Sequence, residues 1–190
     1  MHLRTSLPRL LCSALVIAGL ASLPEQASAA PGPNLVKNGG FESGSLSSWG
    51  LIGDQTFNGV QCSGAPEGSC DAFFGPVGTT GGITQSIATT VGAQYFISFI
   101  LISTGDNPSS FTADFGASNL LTLSNPNTGT TTFSFLRTAT AASTLLRFNF
   151  QDDPGFMLLD AVQVIPEPAT VALVGLALLG LGASRRRKTH

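Results

Sequence analysis

The sequence predicts an all-β fold: a two-sheet, jelly-roll-like β-sandwich, flanked by an N-terminal signal peptide and a C-terminal hydrophobic helix. Three observations carry this expectation. Thirteen Phe and 22 Gly, with abundant Thr and Ser, suit pleated strands joined by tight turns rather than helices. Apolar residues alternate with polar ones at a period of two in several segments. Turn clusters recur between those segments: Gly105-Asp106-Asn107-Pro108, Ser124-Asn125-Pro126-Asn127 and Asp152-Asp153-Pro154-Gly155.

The elements follow in order. Asn34–Val36, Ala72–Phe74 and Ile83–Ala88 read as short strands, with Gly39-Gly40 and Gly81-Gly82 as turn glycines. Tyr95–Ile102 (YFISFILI) is apolar at nearly every position, as expected of a central strand covered from both sides. Phe111, Ala113 and Phe115 share one face of the next strand. Strands at Leu120–Leu123 and Thr132–Phe135 follow. In Leu146–Phe150 the apolar set faces inward, with Arg147 and Asn149 outward. A last strand spans Phe156–Val164. Eight to ten such strands imply a sandwich of jelly-roll type.

The two ends have a different character. Arg4 and Arg9 form a basic region, Leu10 to Leu20 is an apolar core of signal-peptide length, and Ala27-Ser28-Ala29 supplies small residues for cleavage. Residues 1–29 are therefore expected to be a signal peptide, directing export, and 30–163 the sandwich. Cys12 lies at the start of the apolar run, where a lipid-attachment motif does not fit, and is expected to leave with the peptide. Residues 164–190 are expected to form a separate tail. There, Pro166-Glu167-Pro168 ends the last regular element, because proline fixes φ and lacks a donor. Ala169 to Ala183 carries no charge, and Arg185-Arg186-Arg187-Lys188 follows as a basic stop that stays on the cytoplasmic side of a bilayer. As a helix those fifteen residues reach about 22 Å, short of the ~30 Å hydrocarbon core. A transmembrane helix so short suits a signal that is read and then processed. An ordinary C-terminal membrane anchor is the competing reading.

Proline-glutamate-proline, the apolar run and the basic end together resemble the PEP-CTERM sorting signal of bacterial envelope proteins. The resemblance implies an exosortase-type processing enzyme as partner. It also implies transient residence in the inner membrane through the C-terminal helix, then release to the outer surface or extracellular matrix.

Between the signals, the chain has three cations, Lys37, Arg137 and Arg147, against nine anions, a net charge of −6. An acidic body with so few cations excludes nucleic acid as a partner, since phosphate neutralisation needs Lys and Arg. Both histidines, His2 and His190, fall in the terminal segments. The body then has no histidine general base, no Ser-His-Asp triad and no His-ligated metal. Two cysteines, Cys62 and Cys70, bracket a Gly- and Pro-containing loop. In an exported chain an even count reads first as a disulfide; free thiols or a two-cysteine metal site remain as alternatives.

A second resemblance enters at the ends of the body. Asn34-Leu35-Val36-Lys37-Asn38-Gly39-Gly40-Phe41-Glu42, with Ser47-Ser48-Trp49, looks like the opening of carbohydrate-binding-module-like jelly rolls. Asp152-Asp153-Pro154-Gly155 and Leu159-Asp160-Ala161-Val162 resemble their closing strand, and Phe73-Phe74-Gly75-Pro76 with Ile83-Thr84-Gln85 the middle. The resemblance implies a structural Ca²⁺ held by Glu42 and Asp160. Ala161 stands where the family carries a second Asp, so the ligand set is incomplete. Without metal, the same two carboxylates would accept hydrogen bonds from turn backbones.

Sugar platforms are Trp or Tyr faces, and Trp49 and Tyr95 are the two available. Both are expected in the core, from their setting in the opening motif and the apolar strand. As catalytic groups, the paired Asp152 and Asp153 point to opposite faces of a strand and are expected to solvate the turn. No catalytic constellation emerges. The sequence reads as an exported, non-catalytic surface protein associated with exopolysaccharide. A specific polysaccharide-binding, lectin-like module is the alternative, and a carboxylate-dependent hydrolase a third.

Overall fold

The computed structural model describes residues 32–167. The expected signal peptide, Pro168, the apolar run and Arg185, Arg186, Arg187 and Lys188 lie outside the described residues. Ten strands run in order: β1 (Gly50–Gly53), β2 (Asn58–Gln61), β3 (Asp71–Phe74), β4 (Gly81–Ala88), β5 (Gln94–Ser103), β6 (Ser109–Phe115), β7 (Ser118–Ser124), β8 (Gly129–Thr138), β9 (Ser143–Asp152) and β10 (Met157–Pro166). No described residue lies in a helix, so none of them belongs to a helix long and apolar enough to cross a membrane.

Two five-stranded antiparallel sheets form the sandwich. The first has the order β1-β4-β9-β6-β7 and the second β2-β3-β10-β5-β8. From β3 to β6 and again from β7 to β10 the chain changes sheet at every connection, which is jelly-roll winding. The sheets face each other through alternate residues. Leu146, Phe148 and Phe150 of β9 and Phe111, Ala113 and Phe115 of β6 meet Ile97, Phe99 and Leu101 of β5, all buried. Phe74 stacks on Phe150 with ring centroids 4.1 Å apart, and Phe99 meets Phe148 edge-on at 5.1 Å. The phenylalanines thus fill the layer between sheets that a sandwich requires.

The expected strands recur as β3 to β10, with three corrections. First, β5 is not covered on both faces. Tyr95, Ile97, Phe99 and Leu101 are buried, whereas Phe96, Ile100 and Ile102 on the outer face are only half-buried. Second, Asn34–Val36 is not a strand. Asn34 uses its side chain instead, Nδ2 donating to Val162 O (3.1 Å) while Oδ1 accepts from Val164 N–H (3.0 Å). Third, β10 continues to Pro166, and Glu167 N–H still donates to Gln94 O at 3.0 Å. The proline lacks a donor but can end a ladder, so the strand runs three residues into the segment assigned to the tail.

Of the glycine pairs, Gly39 and Gly40 lie in a turn as expected, and the other pair does not. Gly81 and Gly82 open β4 rather than a turn. Gly39 is a packing position as well, because a Cβ there would overlap Val162 O, and Val162 N–H donates to Gly39 O (2.9 Å).

Candidate functional site

The domain's opening and closing segments meet at an irregularity in β10. Its register with β5 shifts between Asp160 and Gln163, and Ala161 there adopts a left-handed φ of 51°. Phe41, just before Glu42, is also left-handed at 55° and wholly buried. Such backbone is unfavourable for residues with a Cβ and persists where the surroundings dictate it. Here it brings two carboxylates to one loop. Glu42 Oε1 accepts from Ser69 N–H (2.8 Å) and Cys70 N–H (3.0 Å). Asp160 Oδ2 accepts from Glu67 N–H (2.9 Å), and Oδ1 from Ala161 N–H (2.7 Å). The loop they hold is closed by a Cys62–Cys70 disulfide.

The two acids have opposite electrostatics. Backbone N–H groups of Ser69 and Cys70 hold the exposed Glu42 below the usual carboxylate range. Burial pushes Asp160 up to about 6, the two N–H groups offsetting part of this and the Glu67 and Asp71 charges adding to it. Asp71, beside Asp160 on the sheet, was not singled out by its sequence context. It is fully buried, neither oxygen reaches a hydrogen-bond partner, and burial raises its pKa, its cross-strand neighbour Gln61 restraining the rise only in part. Its place after Cys70 carries no sign of this burial, which comes from the packing of β3 between β2 and β10.

A cleft of about 260 Å³ opens beside these groups, lined by Asn34, Gly40, Glu42, Glu67 and Gln163 among others. Its side-chain donors are oxygens and amides, the chemistry of a hard cation rather than zinc. No three His, Cys, Asp or Glu side chains among the described residues group tightly enough to hold a metal by themselves. Calcium here would draw on Glu42, Asp160 and main-chain oxygens. The bonds seen directly are those of carboxylates tying a loop down.

The aromatic candidates are in the core. Trp49 is 7 % exposed, stacked on Phe41 (6.0 Å), with Nε1–H donating to Asn38 O at 3.1 Å. Tyr95 is 3 % exposed, its hydroxyl accepting from Thr90 N–H at 2.8 Å. Neither offers a face to a sugar. The outer face of the first sheet is polar instead. Thr84, Arg147, Asp114 and Asn119 stand in one cross-strand row, and Asn149, Thr112 and Thr122 in the next. Asn149 Nδ2 donates to Thr112 Oγ1 (2.9 Å) and Asn119 Nδ2 to Asp114 Oδ1 (2.9 Å), so the rows are pre-ordered. Sequence alternation identified Arg147 and Asn149 as outward but gave no sign of their cross-strand neighbours.

Residues 164–188 match the model of the PEP-CTERM protein-sorting motif. The chain carries a PEP-CTERM sorting signal. That motif implies export and exosortase-dependent sorting to the cell envelope or surface, and it begins inside β10, at Val164. No curated protein matches the chain. Solved structures do. TmCBM61 in complex with β-1,4-galactotriose is 16% identical, with a TM-score of 0.58 over 71% of this chain and 99% of that one. The CBM22-1 xylan-binding domain of Xyn10C from Paenibacillus barcinonensis is 17% identical, with a TM-score of 0.53 over 73% and 97%. The enzymatically active domain of tailspike protein 4 from bacteriophage CBA120 is 16% identical, with a TM-score of 0.56 over 70% of this chain but 21% of that one. At these identities the likeness is one of fold: the body of this PEP-CTERM chain is a jelly roll similar to those of carbohydrate-binding modules.

Proposed function

We propose that this chain is an exported, non-catalytic envelope protein whose sandwich associates with exopolysaccharide through the outer face of its first sheet. The observation carrying this is the pair of polar rows across β4, β9, β6 and β7. Threonine, asparagine, aspartate and arginine at strand spacing offer donors and acceptors to successive hydroxyls along a sugar chain. With Trp49 and Tyr95 both buried, contact is by hydrogen bonding, which suits broad adhesion to a polysaccharide more than tight recognition of one sugar. Support comes also from the carbohydrate-binding-module neighbours and from the sorting signal, which implies delivery to the cell envelope or surface.

Calcium belongs to the same proposal as a structural ion. Bound beside Glu42 and Asp160, it would join the first and last segments of the domain and supply charge neutralisation, not chemistry. Affinity electrophoresis of the purified protein through gels containing the producing cell's exopolysaccharide tests the reading. Retardation that is lost in Arg147→Ala/Asn149→Ala supports it, and mobility unaffected by the polymer contradicts it.

A further inference from the structure

A second acidic cluster lies at the end of the sandwich where β9 runs out. Asp152 is its last residue, on the inner face after Leu146, Phe148 and Phe150, and it is 1 % exposed. The expectation that Asp152 solvates a turn therefore fails: Asp153 is half-exposed, but Asp152 is sealed in. Asp152 Oδ1 is buried and has no hydrogen-bond partner. Two turns enclose it. Asp152 N–H donates to Pro76 O (3.1 Å), and Asp153 N–H to Pro108 O (3.2 Å). Ser109, paired with Asp152 across the ladder, donates from Oγ to Asp106 O (2.6 Å). The Asp106 carboxylate accepts from Thr104 Oγ1 (3.0 Å) and fills the space beside Gly155 where a Cβ would sit.

The charges around Asp152 are of one sign. Asp106 and Asp153 both raise its pKa, after burial, which is the largest cause. The three cations of the body are placed elsewhere: Arg147 sits in the row with Thr84 and Asp114, Arg137 opposite Tyr95 at the far end of β5, and Lys37 N–H bonds Gln85 Oε1. A buried carboxylate with two acidic neighbours and no cation beside it among the described residues needs a proton or an ion from outside.

We propose that Asp152 and Asp106, with main-chain and hydroxyl oxygens of the 104–108 and 152–155 turns, form a binding site for a hard divalent cation of the calcium class. The donors are all oxygen, which excludes zinc-type chemistry, and an irregular turn-built shell suits calcium better than the strict octahedron of magnesium. The three carboxylates do not converge into a ready three-ligand cluster. The ion therefore takes Asp152 and one neighbour, and its remaining ligands are carbonyls, the Thr104 hydroxyl and water. It pins the 104–108 turn to the end of β9. This site is separate from the cleft at Glu42, which lies on β10 and the disulfide loop.

Calorimetric titration of calcium into the metal-stripped full-length protein, kept in detergent at pH 7.5, tests this. Asp152→Asn should remove one equivalent of calcium, and Asp106→Asn should weaken that equivalent tenfold or more. Both should keep the calcium response that depends on Glu42. In calcium-free buffer Asp152→Asn should melt no lower than wild type, since it removes an uncompensated charge, and this shows that the variant folds. Unchanged stoichiometry and affinity in Asp152→Asn, or no calcium bound by wild type beyond the Glu42-dependent ion, would overturn the proposal. So would a metal-free Asp152→Asn that melts well below wild type, because ionised Asp152 would then have its partner within the protein.

Discussion

Glu42 and Asp160, one from the domain's opening segment and one from its last strand, grip the same disulfide-closed loop. Glu42 takes the N–H groups of Ser69 and Cys70, and Asp160 that of Glu67. The domain's opening and closing segments are thereby locked through a third segment, and calcium bound there should act on the whole fold. Free calcium a hundredfold above its Kd is expected to raise the melting temperature by about 8 °C, and EDTA to reverse this. Glu42→Ala should abolish the part of the response that belongs to this cleft. A melting curve with the same calcium response in wild type and Glu42→Ala would leave the two carboxylates as hydrogen-bond acceptors only.

The same loop depends on its thiols. Non-reducing peptide mapping of exported material should recover Cys62 linked to Cys70, with no thiol reactive to maleimide before reduction. Reduction should lower stability by about 2.6 kcal/mol at most, the chain-entropy limit for so short a loop. Two readily alkylated cysteines in the native protein would contradict the pairing.

Much of this architecture was legible in the sequence, for a physical reason. In β6 and β9 one face is core and the other solvent, so a period of two is written into Phe111–Phe115 and Leu146–Phe150. The strands that were not read, β1 (GLIG) and β2 (NGVQ), have four residues each, contain glycine and form sheet edges, so no buried face imposes a pattern on them. Asn34 departs from the strand pattern because its side-chain amide takes the place of backbone pairing. Asp152 is hidden in a DDPG string with the composition of an exposed turn, whereas β9 continues through its first residue. Glu42 and Asp160 came from family resemblance. Asp71 and Asp106 became visible only through the cross-strand and loop packing that seals or surrounds them.

Buried acids set the pH response. Asp152 and Asp160 are each pushed up to about 6, and Asp71 is raised in the same direction. Between the ordinary aspartate value and about 6, the folded state holds more protons than the unfolded state, so stability falls as pH rises through that window. In EDTA the melting temperature should therefore climb as pH is lowered from 7.5 to about 5. Saturating calcium should flatten that climb, because it binds the ionised form. A metal-free protein losing stability over this fall in pH would show that these acids are ionised and paired within the fold.

Trp49 reports on the core rather than on ligand. Stacked on Phe41 and 7 % exposed, it should fluoresce as a buried indole, and neither its emission nor its accessibility to iodide should change when oligosaccharide is added. Phe148→Ala, in the layer shared with Phe99 and Phe111, should cost about 3–5 kcal/mol in urea unfolding. Quenching of Trp49 by sugar would place a binding surface where the fold puts packing.

Whether the polar rows of the first sheet are what meets polysaccharide is decided by one comparison. Wild type and Arg147→Ala/Asn149→Ala are run through gels with and without the producing cell's exopolysaccharide. Arg147 is exposed and Asn149 half-buried, so the double substitution should leave stability within about 1 kcal/mol of wild type, as surface changes do. The polymer should slow wild type, and the variant should lose at least tenfold in apparent affinity, about 1.4 kcal/mol. Equal retardation of wild type and variant would contradict it, by placing the polysaccharide contact on another surface.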